Sequence, residues 1–156
     1  MRITQYNLEL NDDRHPVLVK EKAVNYASDV KNLLSPQKIV KMCNDIFRMD
    51  KLAEETTIMI GMDTAGHPTG VFEISHGTAD ETLIAPREVF IRLLLSGATC
   101  FSLVHNHPSL NMTPSSADIS VAKSFSQAGK LMGISLLDFI IIGAGFYSFY
   151  EQGILQ

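Results

Sequence analysis

The segment Ala98-Thr-Cys-Phe-Ser-Leu-Val104 constrains the fold of this chain more than any other. It is of strand length, apolar apart from Thr99 and Ser102, and uncharged, and it ends abruptly in His105-Asn-His-Pro108. Such a run is what a central strand buried on both faces requires. Around it, strand and helix patterns alternate. Residues 3–10 and 17–26 read as extended segments split by a polar turn, Asn11-Asp-Asp-Arg-His-Pro16. Ser35-Pro36 announces a helix, with Ser35 as N-cap and Ile39, Val40, Cys43, Ile46 and Phe47 on one buried face. Residues 57–62 and 71–75 read as strands either side of the turn Asp63-Thr-Ala-Gly66, and Pro86 opens a helix that Gly97 closes. A helix from Ser115 to Met132 stops at Gly133. Residues 136–142 form an apolar strand that turns at Gly143-Ala-Gly145 into a last extended segment, 146–151. The chain is expected to be α/β, a mixed β-sheet with helices packed on it.

At 156 residues this is one ordinary domain, and 46% hydrophobic against 19% charged residues is the balance of a globular protein. Thirteen basic residues face seventeen acidic ones, a net charge of -4, which argues against a protein whose main task is gripping phosphate backbones. Cys43 and Cys100 form no Cys-x-x-Cys pair, so zinc ribbons and thioredoxin-type redox motifs are excluded. The first residues hold no apolar signal-peptide core, and no apolar run is long enough to span a membrane. The expectation is a soluble, cytoplasmic protein.

The chemistry is concentrated in His105-Asn-His-Pro-Ser-Leu-Asn-Met-Thr-Pro-Ser-Ser-Ala-Asp118. In an extended backbone, residues two apart point to the same side, so His105 and His107 present two imidazoles together at a strand end. Asp118 falls in the first turn of the next helix, which can fold back over that end. Two His and one carboxylate leave the fourth position of a tetrahedral site open, the catalytic kind of zinc site. Ser115-Ser-Ala-Asp118 also has the form of a capping box, which needs no metal and competes for the same Asp118 carboxylate.

His105-x-His107-Pro108, six residues, Ser115, two residues, Asp118 resembles the JAMM metalloprotease motif at every fixed position. The surrounding sequence resembles the RadC branch of that family, through Ser75-His-Gly-Thr78, Pro86-Arg-Glu-Val-Phe90, Thr113-Pro-Ser115 and Leu136-Leu137-Asp138. The resemblance covers about residues 35–156, a RadC-like JAMM domain, and leaves 1–34 as an N-terminal β extension of the same domain. It implies an α/β/α sandwich like that of the JAMM and cytidine deaminase folds. It further implies Zn²⁺ held by His105, His107 and Asp118, and a metallopeptidase that cleaves a peptide or isopeptide bond. Two positions depart from the family: Leu110 stands where it often has Gly, so the loop is expected on another path, and Phe139 stands where it often has His.

The family mechanism also requires a Glu from an earlier strand. Glu54 and Glu55 are adjacent candidates; aligning the strand through Asp63 favours Glu55, on the face of Thr57 and Met59, with Glu73 as the fallback. In that mechanism zinc lowers the pKa of its bound water from about 15.7 to about 7, Glu55 shuttles the proton, and Ser115 hydrogen-bonds the oxyanion. Asp138 is read as structural, and Cys43 and Cys100 as core.

Rival readings remain. A deaminase needs His-x-Glu and Pro-Cys-x-x-Cys, and neither is present. A non-catalytic JAMM-fold interaction module would keep the fold without turnover. A DNA-associated, repair-linked protein is the other alternative, which the acidic charge disfavours. The expected partner is a peptide or protein substrate, with no membrane, and the N-terminal strands offer an edge for a homodimer. The charge yields a direct test: binding to generic duplex DNA at physiological salt should be no tighter than about 10⁻⁴–10⁻⁶ M. Nanomolar, sequence-independent binding in a fluorescence-anisotropy titration would favour the nucleic-acid reading instead.

Overall fold

A computed structural model describes residues 1–26, 29–77 and 84–155. Thr78, the last residue of one family-like segment, lies outside them. The elements are β1 (Arg2–Leu10), β2 (Pro16–Asn25), α1 (Pro36–Phe47), β3 (Thr56–Met62), β4 (Pro68–His76), α2 (Pro86–Ser96), β5 (Cys100–Asn106), α3 (Ser116–Met132), β6 (Ser135–Ile142) and β7 (Phe146–Ser148). A 3-10 turn, Met49–Lys51, which the sequence pattern did not suggest, lies between α1 and β3.

The strands form one seven-stranded sheet in the order β2-β1-β4-β3-β5-β6-β7. β5 runs antiparallel to β3 and parallel to β6, and every residue of β5 is buried. Its even-numbered residues Cys100 and Val104 pack with Ile58, Ile60, Ile140 and the Ile39, Met42 and Cys43 face of α1. Its odd-numbered residues Phe101 and Leu103 pack with Met59, Phe139, Val89 and Phe90 of α2, and Ala122 and Phe125 of α3. Period-two alternation therefore sends one side of the strand to each core, and the architecture is a mixed α/β/α sandwich. The β1–β2 hairpin extends the sheet through a parallel contact of β1 with β4.

Local details differ from the sequence reading for identifiable reasons. Ser35 occupies the N-cap position of α1, but its hydroxyl makes no capping bond. Pro36 at the first helical position fixes the backbone for the helix start, and the boundary stands without that bond. β5 continues through His105 and Asn106 because its ladder to β6 persists to the Asn106–Ile142 pair. β7 ends at Ser148 rather than running to residue 151, because Asp138 gathers the chain into a turn. The Ser148 hydroxyl donates to Asp138 Oδ2 at 2.5 Å and the Tyr150 N–H to Oδ1 at 2.9 Å. Ser148 Oγ in turn accepts the Glu151 N–H at 3.0 Å. Asp138 thus serves as a structural staple between β6 and the C-terminal turn.

Burial pushes the Asp138 carboxyl above its usual range, against the lowering effect of bonds from Ser148 and the Tyr150 and Phe139 N–H groups. A raised folded-state pKa means a contribution that is fully present below the ordinary carboxylate pKa and is lost as pH rises through the folded value. Asp138→Asn retains an acceptor and cannot ionise. Its stability relative to the parent, measured by urea unfolding, should improve as pH rises from the acid range to neutrality. A difference that stays constant with pH would show that burial does not hold the charge at a disadvantage.

Candidate metal centre

The pairing of β3 with β5 sets Thr57 opposite His105. Glu55 lies two residues before Thr57 and His107 two residues beyond His105, so both continue the same face, towards α2 and α3. One ligand atom each from Glu55, His105 and His107 lies within 4.8 Å of the other two. Glu55 Oε2 stands 3.7 Å from His105 Nε2, and the two imidazole rings are 5.0 Å apart, nearly perpendicular at 86°.

The start of α3 brings in Asp118. Ser115 is an extended N-cap (φ -74°, ψ 167°), and Ser115 and Asp118 form a complete capping box. The Asp118 N–H donates to Ser115 Oγ at 3.1 Å, while the Ser115 N–H and hydroxyl both donate to Asp118 Oδ2 at 2.7 Å. The same Oδ2 stands 3.7 Å from His107 Nε2. Asp118 therefore joins the cluster through His107, and the tightest trio is Glu55, His105 and His107. A carboxylate has about four lone-pair sites, so capping occupies only part of Asp118.

Each imidazole is oriented through its other nitrogen. His107 Nδ1 is 2.7 Å from the Asn111 carbonyl, which only accepts, so Nδ1 carries a hydrogen and Nε2 is left facing the cluster. His105 Nδ1 is 2.9 Å from the Thr57 hydroxyl, which accepts the Nδ1 hydrogen when Nε2 is the free lone pair. Burial holds His105 below the usual imidazole range; Asp118 and Glu55 pull the other way, and His107 adds to the lowering. A neutral imidazole is the form that ligates metal.

The Asn111 carbonyl is placed by a tight loop. The Leu110 N–H donates to the His107 carbonyl at 2.9 Å and the Ala144 N–H to the Leu110 carbonyl at 3.1 Å. Leu110 itself sits at φ 64°, in the left-handed region that glycine enters without steric cost. A Cβ on Gly143 would come within 2.7 Å of the Leu110 carbonyl, so the approach of the two loops requires glycine there.

A cavity of about 510 Å³ opens over the cluster. Glu55, Thr57, His105, His107, Ser115 and Asp118 form its polar side, and Ile84, Val121 and Phe139 an apolar wall. Glu54 lies away from it, its Oε2 2.6 Å from His76 Nε2, and Glu73 lies 3.6 Å from the other nitrogen of that ring. Both cysteines are buried free thiols whose pKa burial pushes up, and neither lines the cavity. The donor set, two imidazoles and carboxylates without sulfur, fits a zinc ion with an open position. Thr57 and Asn111 escaped the sequence reading. Thr57 shares the face of Glu55, a usable signal, whereas Asn111 acts through its main chain and leaves none.

A family model described as "RadC-like JAB domain" matches residues 33–154. The UPF0758 protein of Desulfitobacterium hafniense is 38% identical over 122 residues, 78% of this chain and 53% of that protein. A UPF0758 protein of Clostridium perfringens is 37% identical over 139 residues, 88% of this chain and 60% of its own length. That of Thermotoga maritima is 35% identical over 120 residues, 76% and 53% respectively. The chain therefore spans about half the length of the curated relatives it matches. None of these names states an activity. Among the described residues, no helix is long and apolar enough to cross a membrane.

The lowered pKa of His105 has a consequence for the metal-free protein. Between the folded and unfolded pKa values the unfolded chain binds the proton more tightly. Stability from this group is thus fully present above the ordinary imidazole value, about 6.5, and is lost as pH falls through the folded value. Urea titrations in chelator at about pH 7.5 and about pH 5.5 should show a steeper loss for the parent than for His105→Gln, which stays neutral throughout. Parallel losses would place His105 outside the groups that set the acid limb.

Proposed function

The chain belongs to the family of RadC-like JAB domains, and from that premise we propose that it is a zinc-dependent metallopeptidase hydrolysing a peptide or isopeptide bond. The observation that carries this reading is the convergence of Glu55, His105 and His107 within 4.8 Å at the floor of one cleft. His105 Nε2, His107 Nε2 and an Asp118 oxygen would hold the ion, with Glu55 left as a base. When bound, zinc supplies Lewis acidity that polarises a carbonyl and makes water acidic near neutral pH.

The remaining work falls to the chain's own side chains. The amide lies in the cleft with an apolar substituent against Ile84, Val121 and Phe139. Glu55 accepts the proton of the attacking water at its carboxylate and delivers it to the leaving amine nitrogen. The Ser115 hydroxyl donates to the oxyanion of the tetrahedral intermediate, for which it turns from Asp118 Oδ2. Thr57 and the Asn111 carbonyl keep both imidazoles in the orientation that leaves Nε2 towards the cleft. The substrate in this reading is a peptide or protein.

A second reading, a non-catalytic interaction module, has one observation in its favour. The capping box satisfies Ser115 and Asp118 with each other, as an α3 start with no further duty requires.

Substitution separates the two. Protein reconstituted with zinc should hold about one ion per chain. Glu55→Gln should keep the ion and the Tm while losing about 10²–10⁴-fold in turnover on a peptide or isopeptide found by library screening. Ser115→Ala should keep the ion and lose about 10²–10³-fold, and Asp118→Asn should weaken zinc binding. If Glu55→Gln loses zinc, that carboxylate is a ligand and the proton-transfer role is wrong. If all three variants bind zinc and behave as the parent does, the module reading prevails.

A further inference from the structure

Asn106 stands between the two histidines yet points to the opposite face of β5, where it is 2% exposed. The ladder between β3 and β5 ends at the Thr57–His105 pair. In the same register Thr56 lies opposite Asn106, and there the Asn106 side chain takes over from the main chain. The Thr56 N–H donates to Asn106 Oδ1 at 2.7 Å, and Asn106 Nδ2 donates to the Glu54 carbonyl at 3.2 Å. These two groups flank Glu55, whose own carbonyl accepts the Gly77 N–H at 3.0 Å. Glu55 precedes β3 and draws no ladder bond from β5, and the carboxamide of Asn106 ties its backbone to the strand that carries the histidines.

We propose that Asn106 is a positioning residue. Its carboxamide clamps the backbone on both sides of Glu55 and sets where the Glu55 carboxylate stands relative to His105 and His107. The proposal rests on the reading of Glu55 as the proton carrier. It explains why a polar side chain is buried at this point of an apolar strand. A primary amide offers a donor and an acceptor side by side, and it does so without adding charge beside two imidazoles. Aspartate would keep the acceptor for Thr56 but has no donor for the Glu54 carbonyl. Alanine keeps neither. Glutamine carries the same amide one carbon too far out.

The test uses the full chain loaded with zinc. In Asn106→Ala, amide hydrogen exchange at Thr56 should quicken by at least about 10-fold while Ile58 and Ile60 hold their protection and zinc content is unchanged. On a peptide or isopeptide substrate, kcat should fall by about 10–10²-fold with KM unchanged, the scale of a small misplacement of a reacting group. In a Glu55→Gln background the same substitution should add nothing, because a residue acting through Glu55 has nothing left to position. Asn106→Asp serves as the second variant if the alanine chain fails to fold: Thr56 stays protected, the Glu54 contact is lost, and kcat falls by less than in the alanine variant. Unchanged exchange at Thr56 in Asn106→Ala overturns the clamp. An equal loss of turnover in the parent and Glu55→Gln backgrounds overturns the positioning role and leaves a merely structural one. If Glu55→Gln alone retains full turnover, the proton-carrier reading fails by itself, and exchange at Thr56 still decides whether the clamp exists.

Discussion

The register between β3 and β5 is the constraint on which the rest of the molecule depends. Side chains on a strand alternate with a period of two, so a slip of one residue would turn His105 and His107 towards α1 and Asn106 into the cleft. What forbids the slip is burial on both faces. Phe101 and Leu103 fit between α2 and α3, while Cys100 and Val104 fit beneath α1. Neither set can exchange places without leaving voids on one side and overfilling the other. The apolar core thereby fixes the address of every polar group at the strand end, although it touches few of them.

Above that frame, the polar groups position one another. His107 is held between the Asn111 carbonyl and the Asp118 carboxylate, and His105 between Thr57 and Glu55. Each ring has an orienting partner on one nitrogen and a carboxylate near the other. Burial favours the neutral form of His105 against the pull of two acids close by. Two carboxylates thus stand beside the pair of imidazoles, a set of donors suited to a cation.

Much of this was legible in the sequence, and the reason is periodicity. The uncharged run before His105, the i and i+2 spacing of the histidines and the Pro36, Gly97 and Gly133 boundaries are local signals, and the elements they mark are present. The choice between Glu54 and Glu55 was harder. Glu-Glu before a strand carries no local distinction, and only the cross-strand register sends Glu54 to His76 and Glu55 to His105. The early end of β7 was out of reach, because it depends on Asp138 meeting Ser148 and Tyr150 across a turn. The silent hydroxyl of Ser35 and the left-handed backbone of Leu110 were equally hidden. In each case the deciding partner lies elsewhere in the chain or is a main-chain atom common to all residues.

The capping box at the start of α3 bears on how such a protein comes into being. Small zinc-finger modules stay unfolded until their metal arrives, because nothing else satisfies their ligands. Here Asp118 and Ser115 satisfy each other, and the N-terminal turn of α3 is complete with its own side chains. The start of α3 therefore needs no ion to complete its hydrogen bonds. Under the zinc reading proposed above, uptake of the ion would be an event separate from folding rather than a condition for it. The order of this turn is thus a property of the polypeptide itself and not of any ion it holds.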